Sequence, residues 1–194
     1  QSQYQYSGLD VVAKRYDVDG QAVFGTEFRV NTSSSSGLPN IAKLNDGGFV
    51  IGFYGAGNYT DNILFQRYDS DGVTVGSEVI VDSVPRAADY NINVIVLENQ
   101  SFVISWTDGS DNIKAKIYAA DGNEISNTFT IAYTHLSSSY SFQNQSIIST
   151  SDGGFVVVSS SSEVVDGFGT DRGIFAQRYD ENGNEVGGKF QVNT

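Results

Sequence analysis

A tyrosine followed by a short acidic turn recurs four times along this chain, as RYDVDG at 15–20, RYDSDG at 67–72, IYAADG at 117–122 and RYDENG at 178–183. The tyrosines are Tyr16, Tyr68, Tyr118 and Tyr179, and subtraction of those positions gives intervals of 52, 50 and 61 residues. Self-similarity at such a period marks propellers, solenoids and arrays, in which one supersecondary unit is repeated and buries its apolar face against the next copy. The repeat predicts a partial unit at 1–32 and fuller units at 33–83, 84–133 and 134–194.

Alignment on the tyrosine divides each unit into four short segments with turn residues between them. In the second unit these are 40–44, 49–54, 62–69 and 78–82; in the third, 92–97, 102–106, 113–118 and 129–132; in the fourth, 146–149, 155–159, 174–179 and 189–192. All are too short for ordinary helices and are rich in Val, Ile, Phe and Tyr, and connectors such as NDGG at 45–48 and SDG at 70–72 supply positive-φ residues for hairpins. The second segments (FVIGFY, FVISW, FVVVS) are nearly continuous apolar runs, as in strands covered on both faces, whereas third segments such as ILFQRYD alternate and predict a half-exposed outer pair. The fold expected is all-β with four-stranded antiparallel units. A small β-propeller of three full blades plus a partial one, or a fragment of a propeller, is the first arrangement, and a stacked β-sheet array is the alternative.

The first unit is incomplete. Residues 4–6 align with the end of a second strand, 10–17 with a third and 27–31 with a fourth, and nothing before Gln1 supplies the first strand. A ring closed by a defective blade, a piece of a longer array, and pairing supplied by a neighbouring molecule all fit this pattern.

Composition narrows the function. With 194 residues, 39% hydrophobic and 12% aromatic, the chain can bury a core. Cys and Met are absent, which removes disulfides, thiolate nucleophiles and Cys-based metal sites, and a single histidine, His135, narrows acid–base chemistry. The net charge of −12 opposes nucleic acid and anionic lipid, and no apolar run is long enough to span a bilayer. Low Lys and Arg content with abundant polar residues and no oxidisable sulfur points to an extracellular or cell-surface setting.

DGGFVI…NILFQRYDSDGVTVGSEVIV in the second unit and DGGFVVV…RGIFAQRYDENGNEVGGKFQVNT in the fourth resemble a tandem repeat of very large secreted bacterial proteins, among them adhesins that also carry RTX or cadherin-like modules. The pattern runs DGGFVVxW, a Gly- and Asp-rich loop, then IxAQRYDxxGxxxGxEFxVNT, and the similarity covers nearly the whole chain. The resemblance implies surface display, adhesion or matrix assembly and a propeller-like fold; it does not imply an enzyme activity. The third unit departs from it, with IYAADG for RYDxDG and ENQSF for NDGGF.

Four aspartates stand in register six to eight residues ahead of the unit tyrosines: Asp10, Asp61, Asp111 and Asp171. If the loops carrying them recur on one face, they form a ring of like charge suited to calcium; otherwise each caps a turn through its own backbone. The DxDG segments at 17–20 and 69–72 open like calcium loops but lack the later ligands and the bidentate Glu, so a hairpin with glycine at positive φ accounts for them. Tyr59, Tyr140 and Trp106 are candidates for stacking on sugars of a cell-surface glycan, with core packing the competing role for Trp106 at the end of a buried strand. Residues 1–7 carry neither charge nor proline, so an edge exposing Tyr4 and Tyr6 is expected to pair with another copy. A non-enzymatic display, adhesion or self-assembly module is the leading function; a calcium-dependent lectin and a propeller hydrolase are its rivals.

Overall fold

The computed structural model describes residues 10–23, 27–32, 36–56, 60–85, 91–108, 112–132, 145–161 and 173–193. Every regular element among them is a β-strand. The chain forms two compact units, Gln1–Arg86 and Ala87–Thr194. The expected strand at 4–6, with Tyr4 and Tyr6, lies outside the described residues, as do Tyr59, Asp111, His135, Tyr140 and Asp171.

In the first unit, β1 (Val12–Ala13) pairs antiparallel with β2 (Phe28–Arg29), with Val12 opposite Arg29 and Ala13 opposite Phe28. This pair is the partial module. The first full module follows as a four-stranded antiparallel sheet of β3 (Ser36–Lys43), β4 (Phe49–Ala56), β5 (Thr60–Tyr68) and β6 (Thr74–Pro85), adjacent in chain order. The second unit holds two such sheets: β7 (Asn93–Val96), β8 (Phe102–Thr107), β9 (Ile113–Tyr118) and β10 (Phe129–Ala132), then β11 (Gln145–Ser149), β12 (Phe155–Ser161), β13 (Gly173–Tyr179) and β14 (Glu185–Gln191). Four antiparallel strands per full module is the arrangement that the turn signals predict.

The hairpins follow from side-chain chemistry. In the β3–β4 turn Asp46 Oδ1 accepts from the Gly48 amide at 2.8 Å, and the Asp152 and Asn99 side chains do the same for Gly154 and Ser101 at 3.4 and 3.0 Å. The second glycine of DGGF is required by space: a Cβ on Gly48 would stand 2.3 Å from the Tyr68 carbonyl oxygen, and one on Gly154 2.2 Å from that of Tyr179. The third module keeps this cap without the glycines: Gln100 takes φ 71°, and the Ser101 hydroxyl also donates to Asn99 Oδ1.

Register slips between β5 and β6 and between β13 and β14 explain two further repeat residues. At each slip a glycine, Gly76 or Gly187, takes φ 73°. The buried Gln66 and Gln177 donate through Nε2 to the neighbouring carbonyls of Arg67 and Arg178, each at 2.9 Å, and to the carbonyls of Gly76 and Gly187 at 3.4 and 3.3 Å. The QRYD…G spacing is thus a bulge whose freed carbonyls are satisfied by a glutamine.

Second strands are covered as expected, β8 along its whole length. One third strand, β5, is more buried than its alternating pattern predicts, with Ile63, Leu64, Phe65, Gln66 and Tyr68 all buried, whereas β9 alternates from Ile113 to Ile117. The half-exposed outer pair expected there holds for β9 and for the fourth strands β6 and β14, while β5 departs from it. One core joins Val11 and Val30 of the partial module to Ile51, Phe53, Leu64 and Tyr68 of the next. Another joins Leu97, Ile113, Ile117 and Ile131 to Ile147, Phe155, Val157 and Tyr179. Each such buried aliphatic or aromatic side chain contributes about 1.5–3 kcal/mol of transfer free energy, so the modules are held by the faces they share.

Candidate functional site

The carboxylates singled out in the sequence have structural partners where they are described. Asp10 Oδ1 accepts from Arg29 Nη2 at 2.9 Å and from Asn31 Nδ2 at 2.9 Å, and Asn31 Oδ1 accepts from the Val11 amide at 2.8 Å. Asp61 is buried on β5, opposite Ala56 and Val84. Asp108 holds the Asn112 amide at 2.9 Å and Lys114 at 3.1 Å. Among the described residues no group of three or more His, Asp or Glu side chains could hold a metal ion.

The acidic turns after the tyrosines close on their own backbones. Asp17 Oδ1 accepts from the Asp19 and Gln21 amides at 3.0 and 2.8 Å, and Asp69 Oδ1 from the Asp71 and Val73 amides at 2.9 Å each. Asp180 Oδ1 accepts from the Asn182 and Asn184 amides at 2.9 and 2.8 Å. The side-chain bond from Asn184 to Asp180, followed by these backbone bonds, lowers the pKa of that carboxyl below its usual value. Glycines 20, 72, 122 and 183 take positive φ, as the hairpin reading requires. Trp106 is fully buried within β8, so its ring belongs to the core and presents no face to a sugar.

The recurring arrangement is a junction between modules, built by aromatic residues. The unit tyrosine ends the third strand directly opposite the phenylalanine that begins the second, and the rings stack: Phe49 on Tyr68 at 4.9 Å, Phe102 on Tyr118 at 5.4 Å and Phe155 on Tyr179 at 5.1 Å, with interplanar angles of 12°, 16° and 14°. A phenylalanine from the fourth strand of the preceding module then leans on the tyrosine. Phe28 lies 5.4 Å from Tyr68 at 54°, and Phe129 lies 6.2 Å from Tyr179 at 45°. The Tyr179 hydroxyl donates to the Ile131 carbonyl at 2.9 Å. Burial, and then the nearby Glu78, push the Tyr68 phenol up to about 12, and burial with Glu185 raises that of Tyr179 further. The fourth-strand phenylalanine was not singled out in the sequence, although its recurrence in EF and KF at 27–28 and 189–190 marks it.

Among the described residues two faces carry these junction residues exposed. On the last sheet Ile174, Phe190 and Val192 are 44%, 55% and 53% exposed, while the residues at the same positions in earlier modules, Val11 and Val30 or Ile113 and Ile131, are buried. On the partial module Tyr16 is 56% exposed, against 2% for Tyr68. Val12 and Lys14 share its face by strand alternation, and Lys14 Nζ lies 5.5 Å from the centre of the Tyr16 ring.

A cleft of about 410 Å³ runs along the partial module and the following sheet. Its lining includes Lys14, Arg15 and Lys43 together with Tyr16, Phe28 and Phe49. The Arg15 guanidinium donates to the Ser70 carbonyl at its rim. Three of the chain's eleven Lys and Arg residues therefore gather in one cleft of an acidic protein.

No family model matches the chain, and no curated protein matches it. Among solved structures it is similar to a hypothetical protein from Leishmania major, at 15% identity and a TM-score of 0.46 over 88% of this chain and 52% of that one. It is also similar to a GH43 endo-arabinanase from Bacillus licheniformis, at 17% identity and a TM-score of 0.41 over 80% of this chain and 58% of the other. The chain thus spans somewhat more than half the length of each.

Proposed function

We propose that this chain is a non-enzymatic extracellular repeat module, built of propeller-type blades, that serves surface display, adhesion or assembly. The observation that carries the reading is the aromatic junction: the repeated residues Phe49, Tyr68, Phe155, Tyr179, Phe28 and Phe129 are spent on joining one module to the next. The repeated acidic residues Asp17, Asp69 and Asp180 are likewise spent on closing turns. What the repeat preserves between its copies is therefore the means of stacking copies. The labelled chain should be retained on bacterial cells or their extracellular polysaccharide after washing. Retention no greater than that of an unrelated acidic β-protein would overturn the reading.

A second reading, glycan binding, is favoured by the cleft. Lys14, Arg15 and Lys43 beside Tyr16, Phe28 and Phe49 combine cations with flat apolar faces, which suits a sugar bearing a carboxylate. Calorimetric titration with uronate oligosaccharides should then give heat that is lost in Lys43→Glu, and an uncharged oligosaccharide giving the same heat would remove the role of the cations.

A further inference from the structure

The internal junctions have two halves. The forward half is the last two strands of a module: Val11, Phe28 and Val30 in the partial module, Ile113, Phe129 and Ile131 in the third. The backward half is the opposite face of the next module's third strand: Leu64, Gln66 and Tyr68, or Phe175, Gln177 and Tyr179, all buried. The forward half of the last module (Ile174, Phe190, Val192) and the backward half of the partial one (Val12, Lys14, Tyr16) are both open to solvent. They are the complementary faces of one interface, and among the described residues each unit forms that interface internally, at Phe28 with Tyr68 and at Phe129 with Tyr179.

We infer that the exposed face of β13 and β14 in one copy docks on the exposed face of β1 in a second copy, with Phe190 against Tyr16 as Phe28 lies against Tyr68. This rests on the assembly reading above and names its partner as the chain itself. The occupant is fixed by continuity with the internal junction: the face lacks an aromatic ring and an apolar strand, and the chain carries both at Tyr16 and Val12. Lys14, which replaces the glutamine of Gln66 and Gln177, does not forbid closure. Its counterpart Lys116 is itself largely buried, with its ammonium paired to Glu124 at 2.6 Å and 5.9 Å from the centre of the Tyr118 ring. Because the two faces differ, the contact is heterologous and propagates from copy to copy. It does not use the N-terminal edge at Tyr4 and Tyr6.

Sedimentation velocity over a wide concentration range tests this on the whole chain, alongside Phe190→Asp, Tyr16→Asp and, as a control outside both faces, Ile80→Asp. All three positions are exposed, so the melting temperatures should stay together. The average mass of the parent and of Ile80→Asp should grow with concentration, and each junction variant alone should lose that growth. Mixing the two junction variants should restore one contact and stop at a dimer, since each retains the half that the other lacks. A parent chain that is monomeric throughout, association indifferent to both variants, or a mixture that stays monomeric would each overturn the proposal. A monomer that is still retained on cells would refute this junction and leave the adhesion reading standing, whereas an assembling chain that is not retained would do the reverse.

Discussion

The hydroxyl of Tyr179 donates to the carbonyl of Ile131 at 2.9 Å, tying the last sheet to the fourth strand of the sheet before it. Tyr68 occupies the same place in its own module, but its buried hydroxyl has no hydrogen-bond partner among the described residues. The two tyrosines thus do the same packing with different polar accounts.

Tyrosine-to-phenylalanine changes should therefore diverge. Tyr179→Phe removes a buried bond and leaves the Ile131 carbonyl unpaired, a loss of about 1–3 kcal/mol. Tyr68→Phe keeps the stack on Phe49 and discards a hydroxyl with no partner among the described residues, so its stability should match or slightly exceed that of the parent. Urea denaturation of both variants checks this, and equal losses would show that Tyr68 has a partner.

The module plan was legible because each of its parts depends on neighbours close in sequence. DGGF and YDxDG fix their turns through residues two to four positions away, as Asp46 with Gly48 and Asp69 with Val73 show. Strand limits were less legible: β6 extends over Thr74–Pro85 because Gly76 and Gln66 absorb a register slip that a short apolar segment does not advertise. The burial of Trp106 follows from its place at the end of an apolar second strand, but the junction role of Phe28 depends on which module lies alongside, a long-range fact that strand alternation cannot supply.

Glycine substitutions separate space from backbone conformation. Gly48→Ala drives a Cβ to 2.3 Å from a backbone oxygen that cannot swing aside, so the β3–β4 turn must shift, at a cost on the order of 3 kcal/mol. Gly76→Ala meets nothing within 4 Å and bears only the penalty of its positive φ, about 1 kcal/mol. Thermal unfolding of the pair should rank them in that order, and the reverse ranking would mean that the turn yields more easily than the bulge.

Calcium should add no stability beyond that of ionic strength in the described part of the molecule. Asp10 already pairs with Arg29 and Asn31, and the acidic turns spend Asp17, Asp69 and Asp180 on amides, so a cation would have to displace existing bonds. Melting temperatures in calcium, magnesium and sodium chloride at matched ionic strength should coincide. A rise specific to calcium, lost in Asp61→Asn, would favour the aspartate ring over turn capping.

High pH should unfold the protein through its buried tyrosines. A phenol is neutral when protonated, and burial lifts Tyr68 from 10.0 to about 12 and raises Tyr179 further. In the unfolded chain both ionise near 10. Their contribution is thus fully present below pH 10 and is lost as pH climbs through the folded values, because the unfolded state releases protons that the folded state still holds. Tyr68 and Tyr179 should give their tyrosinate absorbance late in an alkaline titration, together with loss of β-sheet circular dichroism. Replacing both by phenylalanine should remove the late step. Ionisation of Tyr68 and Tyr179 near pH 10 with the sheet signal intact would show that these rings are reached by solvent and that the junction is open.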